Sequence, residues 1–138
     1  MSAPSVRGLA HVAVAVRSIE EAAPLWERLG ARRVGAEDVP AQKVRVAFYR
    51  LGDLTLELLE STEAEGPVGR FLAKRGPGLH HVSLEVDDVG AALAAWRAAG
   101  VPAVDAAPRK GAEGREVAFL RPEAAGGVLI EIVSKRSR

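Results

Sequence analysis

The chain has 138 residues with 19 basic and 18 acidic side chains, a net charge of +1. One domain is the natural expectation at this length, and nothing in the charge calls for DNA or another polyanion as partner. The absence of cysteine excludes a disulfide framework, a thiol nucleophile and thiolate-ligated zinc.

No apolar run approaches membrane-spanning length, and Met1 to Leu9 lacks the charged-then-apolar pattern of a secretion signal. The expectation is a cytoplasmic protein with no membrane partner. Asn is absent, Gln42 is the one glutamine, and Arg outnumbers Lys 15 to 4. Loss of amides suits a thermophile, and a GC-rich genome explains the Arg excess equally well.

Residues 2–5 read as a loose lead-in. From Leu9 to Val16 the pattern has period two, with Val12, Val14 and Val16 on one face and His11, Ala13 and Ala15 on the other. Ser18 and Glu21 form a capping-box signature for a helix to Leu29, stopped by Gly30. Its expected buried face is Ile19, Ala22, Leu25, Trp26 and Leu29. Pro24 lies inside that helix and predicts a kink or an irregular first turn. Strands are expected over Arg32–Val39, Val44–Leu51 and Leu54–Leu59, the last two joined by a hairpin at Leu51-Gly52-Asp53. The polar stretch from Ser61 to Gly66 reads as a linker, and Val68–Lys74 as a short helix closed by Gly76-Pro77-Gly78.

The order then repeats. A strand is expected over His81–Val86, a helix capped by Asp87 or Asp88 through Ala99, and a strand over Val101–Val104. A charged, Gly-containing loop from Ala107 to Arg115 leads to a strand over Val117–Leu120. The last strand is expected over Val128–Val133, followed by a basic tail from Ser134 to Arg138.

This repetition is written into the residues. Shifting residues 8–34 by seventy aligns them without a gap on residues 78–104, and nine of the 27 pairs are identical, including His11/His81, Trp26/Trp96 and Gly30/Gly100. Val46-Ala47-Phe48 then matches Val117-Ala118-Phe119, and Leu56-Glu57-Leu58 matches Ile130-Glu131-Ile132. The expected architecture is α+β: two paired βαβββ modules forming a curved eight-stranded mixed sheet around a metal-binding cleft. Module 1 spans about residues 6–60, a linker 61–77 and module 2 residues 78–134. Each module alone is too small to bury a comfortable core, so the two should share one.

Each copy carries one His on its first strand and one Glu on its last. A lone strand His is more often a hydrogen-bonded core residue, and a lone Glu often points to solvent. Retention of both types at cleft-facing positions in both copies favours a metal site, because buried carboxylates need a compensating charge. The candidate ligands are His11, Glu57, His81 and Glu131. Two imidazoles and two carboxylates suit a divalent ion, Co²⁺ first, with Mn²⁺, Ni²⁺, Zn²⁺ or Mg²⁺ as alternatives. An octahedral shell would leave two positions for substrate oxygens. His80, whose counterpart is Ala10, is assigned a structural or supporting role.

Over nearly the whole chain these features resemble the vicinal-oxygen-chelate superfamily, and within it the methylmalonyl-CoA epimerases. The matching stretches are His11–Val16, Val44–Phe48 with Leu51-Gly52-Asp53, Leu56–Glu60, Phe71–Gly76 leading to Leu79-His80-His81, Val86-Asp87-Asp88 and Gly126–Glu131. The family's ligands fall on His11, Glu57, His81 and Glu131. The resemblance implies a homodimer that interconverts (2R)- and (2S)-methylmalonyl-CoA by α-proton abstraction and a metal-stabilised enolate, with Glu131 as a catalytic residue. A second acid/base glutamate, present in some epimerases, falls at Val46 here, and Ala41-Gln42-Lys43 departs from the family's usual loop. Lys43, Arg45, Lys74, Arg75, Arg109 and Lys110 are candidates to meet the coenzyme A phosphates, although isolated surface cations are more often simply solvated.

Two further readings share the fold. A glyoxalase I-like lyase or isomerase uses a similar ligand set, and a metal-free drug-binding protein would have no use for four ligands. An extradiol dioxygenase, with two His and one carboxylate on Fe²⁺, fits less well.

Overall fold

A computed structural model describes residues 5–136. The expected lead-in, apart from Ser5, and Ser137 and Arg138 of the expected tail lie outside the described residues. In chain order the elements are β1 (Val6–Val16), α1 (Ile19–Arg28), β2 (Arg32–Val39), β3 (Val44–Leu51), β4 (Leu54–Ser61) and α2 (Pro67–Arg75). They continue as β5 (Gly78–Val86), α3 (Val89–Ala98), β6 (Arg109–Lys110), β7 (Glu116–Leu120) and β8 (Ile130–Ser134). The strands join one eight-stranded sheet in the order β2-β3-β4-β1-β5-β8-β7-β6. It is mixed, as expected of the α+β class: β1 pairs β4 and β5 pairs β8 in parallel, while β2, β3 and β4, and β6, β7 and β8, pair antiparallel.

The chain divides into two compact units, one of residues His11–His80 and the other of the residues before His11 together with those from His81 onward. The division therefore runs through β1 and through β5. In the His11–His80 unit, Ile19 and Ala23 of α1 bury against Val16, Ala47, Tyr49, Leu56 and Leu58. In the other unit, Val89, Ala92 and Leu93 of α3 bury against Val86, Ala118, Leu120 and Ile132. Strand alternation does the sorting: every second side chain of β3, β4, β7 and β8 goes under a helix, and its neighbours go to the opposite face.

Both helix starts follow their sequence signals. The Ser18 hydroxyl accepts from Glu21 N at 3.3 Å, and the Asp88 carboxylate accepts from Ala91 N at 3.0 Å. A further first-turn donor of the helix is satisfied from β4, because Ile19 N donates to Glu60 Oε1 at 2.8 Å. The helix runs through Pro24, which is exposed. Leu25 and Leu29, expected in the core, are 60% and 59% exposed. Ile19 is buried and Ala22 and Trp26 pack against the core as expected, with Ala23 buried beside them. Leu25 lies off that face, and Leu29 caps the helix end.

The second module departs from expectation at its edge. Val101–Val104 is not a strand; only an isolated bridge pairs Ala103 with Leu120. Pro102 has no N–H for a ladder, and the Asp105 side chain takes Phe119 N at 2.8 Å in place of a backbone acceptor. The edge is taken up by β6, inside the expected loop, pairing Arg109 with Val117. The last strand starts two residues later than expected, after Gly126 and Gly127, whose φ angles are +67° and +105°. Ser134, expected in the tail, is the last residue of β8 and its hydroxyl accepts from Glu116 N.

The Tyr49 side chain is fully buried, and its hydroxyl has no hydrogen-bond partner among the described residues. An unsatisfied buried hydroxyl costs more than the bond it forgoes. Tyr49→Phe should therefore raise stability by about 1 kcal/mol, read as a higher urea midpoint with an unchanged slope. A lowered midpoint would show that the hydroxyl is satisfied.

Candidate functional site

In the His11–His80 unit the parallel pairing of β1 with β4 sets Ala13 opposite Glu57. Val12 and Val14 pack towards the core beneath α1, so His11, two residues before Ala13, shares a face with Glu57. His11 and Glu57 are both buried, and His11 Nδ1 lies 3.2 Å from Glu57 Oε2. On the other flank of β4, Phe48 of β3 stands opposite Glu57.

The other unit builds the same arrangement from β5 and β8. Their parallel register sets Ser83 opposite Glu131, with His81 two residues earlier on the same face. His81 and Glu131 are buried, and His81 Nε2 lies 3.9 Å from Glu131 Oε1. Phe119 of β7 stands opposite Glu131, and its ring meets the His81 ring edge-on at 5.5 Å. Here the copies differ: the Ser83 hydroxyl donates to Glu131 Oε1 at 2.6 Å, whereas the matching residue in the first copy is Ala13.

Burial pushes the Glu131 carboxyl up to about 7, opposed by the Ser83 hydrogen bond and then by the positive fields of Arg115 and Arg109. Arg115 is itself buried, donating from Nε to Ser134 O at 2.9 Å, with Glu113 and Glu85 at 3.7 and 3.8 Å. The Arg109 guanidinium lies 5.3 Å from the Phe119 ring centre and pairs with Asp105 at 3.1 Å. That ring contact runs on to His81, so Arg109 is tied to this site in a way its exposed, charged sequence context did not indicate.

The structure thus brings His11 together with Glu57, and His81 together with Glu131. His80 meets Phe71 edge-on at 4.9 Å, and burial lowers its pKa to about 4, which leaves a neutral imidazole near pH 7. That contact fits the structural role expected of it. Val46 is buried in β3 and supplies no carboxylate. Among the candidate phosphate-binding cations, Arg45 is engaged by Asp38 at 2.8 Å and Arg75 lies over the Phe71 ring. Sequence reasoning gave no role to Ser83 or Arg115. Ser83 could have been found from its place two residues after His81, on the face of the ligand strand where the first copy has alanine.

Residues 10–119 match the Glyoxalase/Bleomycin resistance protein/Dioxygenase superfamily. The mitochondrial methylmalonyl-CoA epimerase of Homo sapiens is 36% identical over 126 residues, 90% of this chain and 72% of its own length. Among solved structures, a variant of Streptomyces coelicolor methylmalonyl-CoA epimerase in complex with 2-nitronate-propionyl-CoA superposes with a TM-score of 0.91 at 31% identity, covering 96% of this chain and 100% of that one. A methylmalonyl-CoA epimerase in complex with methylmalonyl-CoA and NH4+ gives a TM-score of 0.90 at 31% identity, covering 95% and 96%.

Glu131 generates a pH dependence of stability. Between the ordinary carboxyl value of 4.5 and about 7, the folded chain holds a proton that the unfolded chain has released. Stability therefore falls as pH rises through that window, and the cost is fully developed above it, on the order of 3 kcal/mol. Urea unfolding in the presence of a chelator should show this slope in the wild type and lose it in Glu131→Gln. Identical slopes in the two proteins would place the Glu131 pKa near its ordinary value.

Proposed function

Because the chain belongs to the glyoxalase/bleomycin resistance protein/dioxygenase superfamily, and within it to the methylmalonyl-CoA epimerase family, we propose that it interconverts (2R)- and (2S)-methylmalonyl-CoA with a divalent ion held by His11, Glu57, His81 and Glu131. The observation that carries this reading is the duplicated pair: a buried imidazole and a buried carboxylate on matching strands of each unit. His11, His81 and Glu131 each offer a donor atom of the kind that holds such an ion. The likeness to epimerases solved with substrate or a coenzyme A analogue supports the choice of substrate.

The donor set fits a borderline or hard divalent cation, with Co²⁺ the first choice and Mn²⁺, Ni²⁺, Zn²⁺ or Mg²⁺ as alternatives. When bound, the ion supplies positive charge where negative charge gathers on the substrate's oxygens as the α-proton leaves. Glu131 takes that proton. Its carboxylate is buried beside the His81 imidazole at 3.9 Å, and a positioned carboxylate can accept a proton and return it. Val46 cannot be the partner on the opposite face, so another group or water serves there.

The proposal includes a cytoplasmic homodimer, the location expected from the sequence and the assembly implied by the resemblance. Among the described residues no helix is long and apolar enough to cross a membrane. Light scattering checks the assembly against twice the chain mass of 14.5 kDa.

Protein supplied with Co²⁺ and (2S)-methylmalonyl-CoA in D₂O should exchange the α-proton for deuterium, followed by NMR. Glu131→Gln should slow that exchange by about 10²- to 10⁴-fold, and His11→Ala should lose bound metal on elemental analysis. No exchange with any of the five ions would remove the epimerase reading. Turnover of a glutathione hemithioacetal instead would favour the glyoxalase-like alternative.

A further inference from the structure

The two carboxylates of the proposed site descend from one ancestral position, and their surroundings differ in one respect that the backbone itself fixes. Parallel pairing puts residue 13 opposite Glu57 and residue 83 opposite Glu131 in the same register. At 13 the residue is alanine, which has no side-chain donor. At 83 it is serine, fully buried, with its hydroxyl 2.6 Å from Glu131 Oε1. That distance lies in the range of a hydroxyl donating to a carboxylate, among the stronger hydrogen bonds in proteins.

We propose that Ser83 is a positioning residue that fixes the Glu131 carboxylate in rotation, and so makes Glu131, and not Glu57, the carboxylate that exchanges a proton with the substrate. The inference rests on the epimerase reading above.

A carboxylate on a two-carbon stem can turn about its last bond, and proton transfer to or from carbon is sensitive to small misalignments of the base. With Oε1 held by the Ser83 hydroxyl, the plane of the carboxylate is set by the β5–β8 register and not by solvent. In the step itself the substrate's C–H bond breaks and an O–H bond forms at Oε2. The electron pair stays on the substrate carbon and spreads into its adjoining carbonyl groups. Ser83 makes and breaks no covalent bond; its hydroxyl remains the donor to Oε1 before and after transfer. At the position matching Ser83, Glu57 faces Ala13, and the His11 imidazole lies 3.2 Å from its carboxylate, which suits a residue that holds an ion.

Wild type, Ser83→Ala and Ser83→Thr, each the full chain, separate this role from a merely structural one. Ser83→Ala should lower kcat for α-deuterium exchange roughly 10- to 100-fold with KM within about twofold, because binding is left intact while alignment is lost. Ser83→Thr, which keeps the hydroxyl, should recover most of that loss. With Co²⁺ alone, Ser83→Ala should bind the same amount of metal per chain as wild type in calorimetry, with an altered visible absorption spectrum. The proposal is overturned by an unchanged kcat in Ser83→Ala, by Ser83→Thr performing no better than alanine, or by loss of metal in step with activity. Should the wild type prove inert with every ion, the epimerase reading falls. The Co²⁺ spectrum then still judges Ser83, and one unchanged by Ser83→Ala counts against any hold on Glu131.

Discussion

Burying a carboxylate is costly unless something nearby answers its charge. This chain does it twice, at Glu57 and Glu131. Each sits on a strand that runs parallel to the strand bearing the imidazole, and each has a phenylalanine across from it on the antiparallel side. The aromatic flank keeps water from solvating the acid, and the imidazole flank supplies a polar neighbour. Helix packing on the opposite face of the sheet holds this arrangement in place, because a slip of one residue in either parallel pair would carry the acid to the helix side. The fold's demand for an apolar face beneath each helix and the site's demand for a polar face opposite it are met by one alternating pattern.

Much of this was legible in the sequence because the informative signals were repeated. The internal repeat marked the paired His and Glu positions, and Ser18 and the Asp87-Asp88 pair marked the helix starts. What escaped was decided by side chains acting as backbone partners. Asp105 occupies Phe119 N and, with Pro102, replaces a strand with a bridge. Leu25 and Leu29 looked like core because a leucine at roughly helical spacing is a core signal, yet α1 meets the sheet along Ile19, Ala22, Ala23 and Trp26. In the sequence Arg115 is only the end of a charged loop, and its burial goes with a hydrogen bond to the Ser134 carbonyl at the end of β8 that no local pattern announces.

The duplicate copies are informative where they disagree. Descent explains why both halves present a His, a Glu and a facing Phe, but not why serine stands opposite one acid and alanine opposite the other. Similarity places the fold, whereas the difference between residues 13 and 83 bears on the proposed division of labour. Arg115 and Arg109 act on Glu131 in the same direction as Ser83, all three favouring its charged form against burial. Its proton affinity is thus set by burial working against these three groups, with burial prevailing.

The segmentation of the gene and the segmentation of the folded body do not coincide. The sequence repeats at about residue 78, yet the compact units exchange partners within β1 at His11 and within β5 at His81. Each unit therefore takes a strand end from the other copy. A polypeptide ending in the linker between the copies would own neither unit in full.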